Sequence, residues 1–146
     1  MPISHELDHA RRLVRAAVRG DFTADNMLRT VSDAAREAGE PGWNVLSDHR
    51  EIGEPATREQ LEQLVGHLAV LRRYFQGSRW AVVVARPASY GMMRMLQVLA
   101  ERVPMTVRVF VDAARAERWA LGATDDELDE GDAPPHPWPP AASASP

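Results

Sequence analysis

The 146-residue chain contains no cysteine. That excludes disulfides, thiolate metal sites and a cysteine nucleophile. It contains no lysine either, so all 17 basic residues are arginine. Arginine offers a planar fork for phosphate, but a GC-rich coding bias explains its exclusive use more simply. The arginines are scattered over polar faces and form no basic stripe, which argues against nucleic acid as the main partner. No apolar run approaches the roughly 20 residues that a membrane-spanning helix needs. The opening segment Met1-Pro2-Ile3-Ser4-His5-Glu6 has no basic lead and no apolar secretory core. The expected setting is the cytoplasm.

What is present divides the chain in two. Hydrophobic residues make up 45% and charged residues 26%, a balance that suits a globular domain rather than a disordered chain. The net charge of -4 is set by the C-terminal stretch. After Gly122 come Asp125, Asp126, Glu127, Asp129, Glu130 and Asp132, with no arginine. Then follow Pro134-Pro135-His136-Pro137-Trp138-Pro139-Pro140 and an Ala/Ser end. Such a segment has too little apolar surface to offset its ordering entropy. The expectation is one domain over 1–121 and a disordered tail over 122–146. The Pro137-Trp138-Pro139-Pro140 stretch fits a minimal polyproline II ligand pattern, a match that is mostly coincidental in such tails.

Within the domain, hydrophobic periodicity assigns the elements. Ile3, His5 and Leu7 alternate with Ser4, Glu6 and Asp8, and Val14, Ala16 and Val18 alternate with Arg15, Ala17 and Arg19. With turn residues between them, the two runs predict a β-hairpin with one wet face. A helix is predicted over 24–38. Thr23 would cap it, Met27, Val31, Ala34, Ala35 and Ala38 share one face, and Gly39 and Pro41 end it. Trp43–Asp48 reads as a strand and Ser47-Asp48-His49-Arg50 as its polar exit. Thr57, with Gln60 three residues on, would cap a second helix with the stripe Leu61, Leu64, Val65, Leu68, Leu71 and Phe75. Trp80–Ala85 is apolar throughout and predicts a central strand covered on both faces. Ser89 would cap a third helix reaching about Arg102, with Met92, Met95, Leu96, Leu99 and Val103 inward. Met105–Val111 is a last strand, and Asp112 would cap a last helix through Leu121. The predicted order is β-β-α-β-α-β-α-β-α, an α/β (mixed α+β) sheet with parallel neighbours and an antiparallel edge.

Four stretches carry a family likeness. They are the hairpin Ile3–Asp8 with Arg12–Gly20, the strand and turn Trp43–Arg50, the strand and exit Ala81–Met92, and the strand and helix Val107–Leu121. In this order they resemble the STAS fold in its SpoIIAA-like branch, the anti-sigma-factor antagonists and their single-domain bacterial relatives. The resemblance implies a mixed sheet with helices packed on it and a regulatory or ligand-binding role. In the antagonists, a serine in an Asp-Ser-Ser-Gly or Asp-Ser-Thr-Gly motif is phosphorylated at the start of the helix after the third strand. Here that stretch reads Glu54-Pro55-Ala56-Thr57-Arg58. The serine and glycine are missing, and Thr57 is better placed as a helix cap than as a phosphosite. The likeness also implies engagement of apolar ligands or membranes around the third helix.

Candidate functional residues follow from the parallel strands, whose carboxyl ends share one edge where ligands usually bind. Asp48, His49 and Arg50 would meet Arg86, Ser89 and Tyr90 there. Helix starts near Thr57 and Ser89 would add unpaired N–H groups suited to an anion. Met93, beside Tyr90, would edge an adaptable apolar groove. Asp48, His49 and Ser89 include the residue types of a hydrolase. However, no Gly-x-Ser-x-Gly elbow is present, and adjacent strand residues point to opposite faces. No histidine spacing suits a metal: His5 and His9 flank a turn, His67 borders a helix stripe and His136 lies in the tail. The expectation is therefore a non-enzymatic domain without cofactor or metal. It would bind a protein partner or a small anionic or lipophilic ligand. A small carrier or enzyme using the Asp48/Arg50/Arg86/Ser89 edge is the alternative.

Overall fold

The computed structural model describes residues 2–129. Its elements are β1 (Ile3–Asp8), β2 (Leu13–Gly20), α1 (Ala24–Ala38), β3 (Asn44–Ile52), α2 (Arg58–Val70), β4 (Ser78–Val83), α3 (Pro87–Leu99), β5 (Met105–Phe110), α4 (Ala113–Ala120) and α5 (Asp125–Asp129). Short 3-10 turns follow α2 and α3. The five strands form one sheet in the order β1-β2-β3-β4-β5. The hairpin pair β1–β2 is antiparallel and the other three pairs are parallel. The mixed α/β architecture predicted from the sequence is the one observed.

Alternation along β4 sets the two layers. Trp80 and Val82, with Val84 just beyond, meet Leu61, Leu64, Val65 and Leu68 of α2 and Met93, Leu96 and Leu99 of α3. Ala35 of α1 belongs to the same core. Ala81 and Val83 face the opposite way, onto Ala116, Trp119 and Ala120 of α4 and Leu128 of α5. Helices α1, α2 and α3 therefore cover one sheet face, and α4 and α5 cover the other. A strand buried on both faces has no room for polar alternation, which is why this segment is uniformly apolar.

Local chemistry explains most boundaries. Thr23 Oγ1 accepts from the Asn26 amide at 3.1 Å, and Gly39 closes α1 in the left-handed region at φ 73°. A residue with a Cβ is disfavoured in that conformation. Thr57 and Gln60 form a reciprocal capping box on α2, and the Asp112 carboxylate accepts from the amides of Ala114 and Arg115. Helices α1 and α2 are joined by a 2.7 Å hydrogen bond between Ser32 Oγ and His67 Nε2. His67 thus serves the helix interface.

Four expectations need correction. Strand β3 runs on through Ile52, so Ser47-Asp48-His49-Arg50 is sheet and not an exit loop. Helix α3 starts at Pro87, whose fixed φ suits a first helical position. Ser89 therefore lies inside the helix and caps nothing. Its inward face is formed by Ser89, Met93, Leu96 and Leu99. Met92 and Met95 are only partly buried, while Met93 is 3% exposed and belongs to the core. Lastly, ordered chain continues past Leu121. Thr124 and Glu127 make a second reciprocal capping box, and Leu128 is completely buried against α4. Arg79 reinforces this end by donating to the carbonyls of Trp119 and Ala123 while lying over the Trp119 ring. The stretch 130–146, with its polyproline pattern and His136, lies outside the described residues.

Candidate functional site: the strand-end edge and an interior cavity

At the strand-end edge, most of the expected ligand-binding groups are engaged by the protein itself. Asp48 pairs in the sheet with Val83 and Ala17, so it sits within the sheet and not on its rim. Its carboxylate accepts from Arg50 Nε at 3.0 Å and Nη2 at 2.8 Å. The guanidinium holds the Asp48 carboxyl below the ordinary carboxylate range, against an opposing push from partial burial. Arg86 does join the two segments that the sequence placed together. Its Nη2 donates to the carbonyls of Ile52 and Gly53 at 2.7 and 2.6 Å. This closes the end of β3 onto the start of α3. Thr57 is occupied in its capping box. Tyr90 is half-buried, with Arg94 Nη1 3.4 Å from its hydroxyl. Ser89 is 3% exposed, and its Oγ has no hydrogen-bond partner among the described residues.

His49 and Asp48 project to opposite sides of β3. Asp48 bonds Arg50, whereas His49 Nε2 lies 3.0 Å from Ser47 Oγ on the inner face. Asp48 therefore does not orient His49, and Ser89 is bonded to neither. Among the described residues, no group of three or more His, Asp or Glu is placed to hold a metal ion.

A cavity of about 110 Å³ lies between the inner sheet face and the helices. Val45 and Ser47 of β3, Val31 and Ala35 of α1, and Leu61 and Leu64 of α2 line its middle. Its sheet wall follows alternate residues from Trp43, just before β3, through Val45 and Ser47 to His49. The six steps from residue 43 to residue 49 span roughly 20 Å, so the lining runs along the strand as a trough. Alternate residues Val14, Ala16 and Val18 of the parallel β2 run beside it.

A polar cluster lies on the sheet side of the wall. Trp80 Nε1 donates to Ser47 Oγ at 2.7 Å, and the same oxygen contacts His49 Nε2. A hydroxyl has one hydrogen and two lone pairs. Trp80 takes one lone pair, and among the described residues the hydroxyl hydrogen has no acceptor other than His49 Nε2, so the arrangement that leaves no hydroxyl hydrogen unpaired has Ser47 donating to that nitrogen. That assigns the imidazole proton to Nδ1. Nδ1 is buried and has no partner among the described residues. Burial pushes the His49 pKa down to about 4, against a smaller upward pull from the Asp48 charge. The ring is therefore neutral at pH 7. At the other end of the trough Trp43 Nε1 is also buried without a partner, with the His9 ring edge-on at 5.2 Å.

Sequence reasoning named His49 but put it in a loop, and it missed Ser47, Trp80 and Trp43 as a set. The signal was present in the spacing. Residues 43, 45, 47 and 49 share one face once the strand is allowed to continue.

No protein-family model matches the chain, and no curated protein matches it. Among solved structures, the chain is similar to an uncharacterised protein of the DUF3478 family with a SpoIIAA-like fold, from Shewanella loihica PV-4. The identity is 15%, the match covers 81% of this chain and 93% of that one, and the TM-score is 0.57. That likeness shows the fold: the domain has a SpoIIAA-like fold. Among the described residues, no helix is long and apolar enough to cross a membrane.

Proposed function

We propose that this is a non-enzymatic binding domain that takes a small, largely apolar ligand into the trough between β3 and helices α1 and α2. The supporting observation is the cavity of about 110 Å³ itself. Native interiors are packed like organic crystals and retain few voids larger than a water molecule. Apolar cavities of this order accept small hydrophobic molecules. The strand-end edge offers less to an anion, because Arg50 is held by Asp48 and Arg86 by two backbone carbonyls. A regulatory role fits this placement. Occupancy would bear directly on α1 and α2, whose outer faces are open to a protein partner.

Benzene titration of the wild type and of Ala35→Leu tests the reading. Ala35 is buried on the cavity wall, and the larger side chain would occupy the space. The expected result is saturable shifts of the Val31, Leu61 and Leu64 methyl resonances in the wild type, lost in the variant. At tenfold excess over Kd, benzene should also stabilise the wild type by about 1.4 kcal/mol. Unmoved methyl resonances and unchanged stability in the wild type would refute the proposal.

A further inference from the structure

We infer that the ligand of this trough is an uncharged, slender molecule bearing a hydrogen-bond acceptor oxygen, of the carbonyl kind, and that His49 Nδ1–H is the group that binds it. The inference rests on the proposed cavity reading and names the chemistry of the same site. A buried donor left unpaired carries the full desolvation cost of its N–H. Native structures pair the large majority of such groups, so an unpaired donor on a cavity wall asks for an acceptor from beyond the described residues. Here His49 lines the trough and its Nδ1 has no partner among the described residues. The other ring nitrogen is committed to Ser47, which Trp80 in turn fixes. The imidazole is thus held in one tautomer with its donor unspent.

The rest of the wall decides charge and shape. No arginine lines the cavity, and the chain has no lysine, so a carboxylate or phosphate inside would lack a counter-charge. Burying such an ion unpaired is expensive. The one charged lining residue, Glu40, is exposed and faces Arg12 at 3.5 Å, so a cation deep in the trough gains no partner either. The neutral state of His49 agrees with this, since burial disfavours its protonated form. The shape follows from the roughly 20 Å wall between Trp43 and His49 and the modest volume of about 110 Å³. A small open-chain molecule matches that length and volume.

The test compares 2-hexanone with 2-methyl-1-hexene, which replaces the carbonyl oxygen by a methylene group of similar shape. Both are titrated into wild type, His49→Leu and His49→Gln, with methyl shifts at Leu61 and Leu64 as the readout. The wild type should favour the ketone, relative to the alkene, by about fivefold more than His49→Leu does. His49→Gln, which keeps a donor, should recover part of that ratio. Hexanoate at pH 7.5 should bind more weakly than the ketone. In the wild type alone, 2-hexanone should move the His49 Nδ1 nitrogen resonance and the alkene should not, a readout that stands even if neither variant folds. An unchanged ketone-to-alkene ratio in His49→Leu, an unmoved Nδ1 resonance, or tighter binding of hexanoate would each overturn the inference, yet leave the cavity reading intact. Failure of both 2-hexanone and 2-methyl-1-hexene to bind the wild type would remove both.

Discussion

Replacing His49 by leucine should flatten the dependence of stability on pH between pH 7 and pH 5. In the folded protein burial lowers the imidazole pKa to about 4, whereas in the unfolded chain it is near the ordinary value of about 6.5. Between those two values the unfolded state binds a proton that the folded state refuses. Stability therefore rises with pH across this window and falls as the solution is acidified. Each unit is worth about 1.4 kcal/mol where the unfolded histidine is fully protonated and the folded one is not. The wild type should lose about 2 kcal/mol on going from pH 7 to pH 5 through this residue alone, and about 3 kcal/mol once pH has passed below both values. The depressed carboxylates Asp48, Glu117 and Glu127 act in a different window. Their contribution is present above the unfolded carboxylate pKa and is lost as pH falls through their lower folded values, near and below pH 4. Urea denaturation at half-unit steps, run on wild type and His49→Leu, isolates the histidine term as the difference between the two curves. Parallel curves from pH 7 to pH 5 would refute the assignment of a neutral, desolvated imidazole.

Three further outcomes follow from particular contacts. Leu128 is fully buried against α4, so Leu128→Ala should cost about 2–5 kcal/mol in urea denaturation; a cost near zero would mean that the domain ends before α5. Ser89→Ala should be neutral or slightly stabilising by the same measurement, because its buried Oγ has no partner to lose among the described residues, whereas a loss of about 1 kcal/mol would restore the capping role. Thr57→Ala should cost about 1 kcal/mol through the lost cap and leave benzene affinity unchanged; weakened benzene binding with an intact fold would place Thr57 at the ligand.

The fold was legible where local chemistry and periodicity agree. Helix α1 occupies the predicted residues because Thr23 and Gly39 mark its ends by mechanisms that need no tertiary context. The parallel neighbours and the antiparallel edge followed from alternation and helix-length crossovers. Other features depended on what packs opposite them. Strand β3 continues through Asp48, His49 and Arg50 because Asp48 and Arg50 satisfy each other on one face while His49 finds Ser47 on the other. Consecutive polar residues conceal that arrangement in a linear reading. In α3 the buried face runs through Ser89, Met93, Leu96 and Leu99, and the run Met92-Met93-Arg94-Met95 gives no sign in the sequence of which methionine turns inward. Helix α5 carried a readable Thr-x-x-Glu capping signal at Thr124 and Glu127, outweighed in the sequence by the acidic and proline-rich surroundings. The trough was not legible at all, since a void exists only where side chains from separate elements fail to meet.

The most direct measurement is anomalous diffraction from crystals pressurised with xenon, which enters apolar cavities and scatters strongly. A xenon peak within the trough, among Val31, Ala35, Leu61 and Leu64, is the expected result. Full xenon pressure with no peak between the sheet and helices α1 and α2 would contradict the claim that the interior of this domain is its binding site.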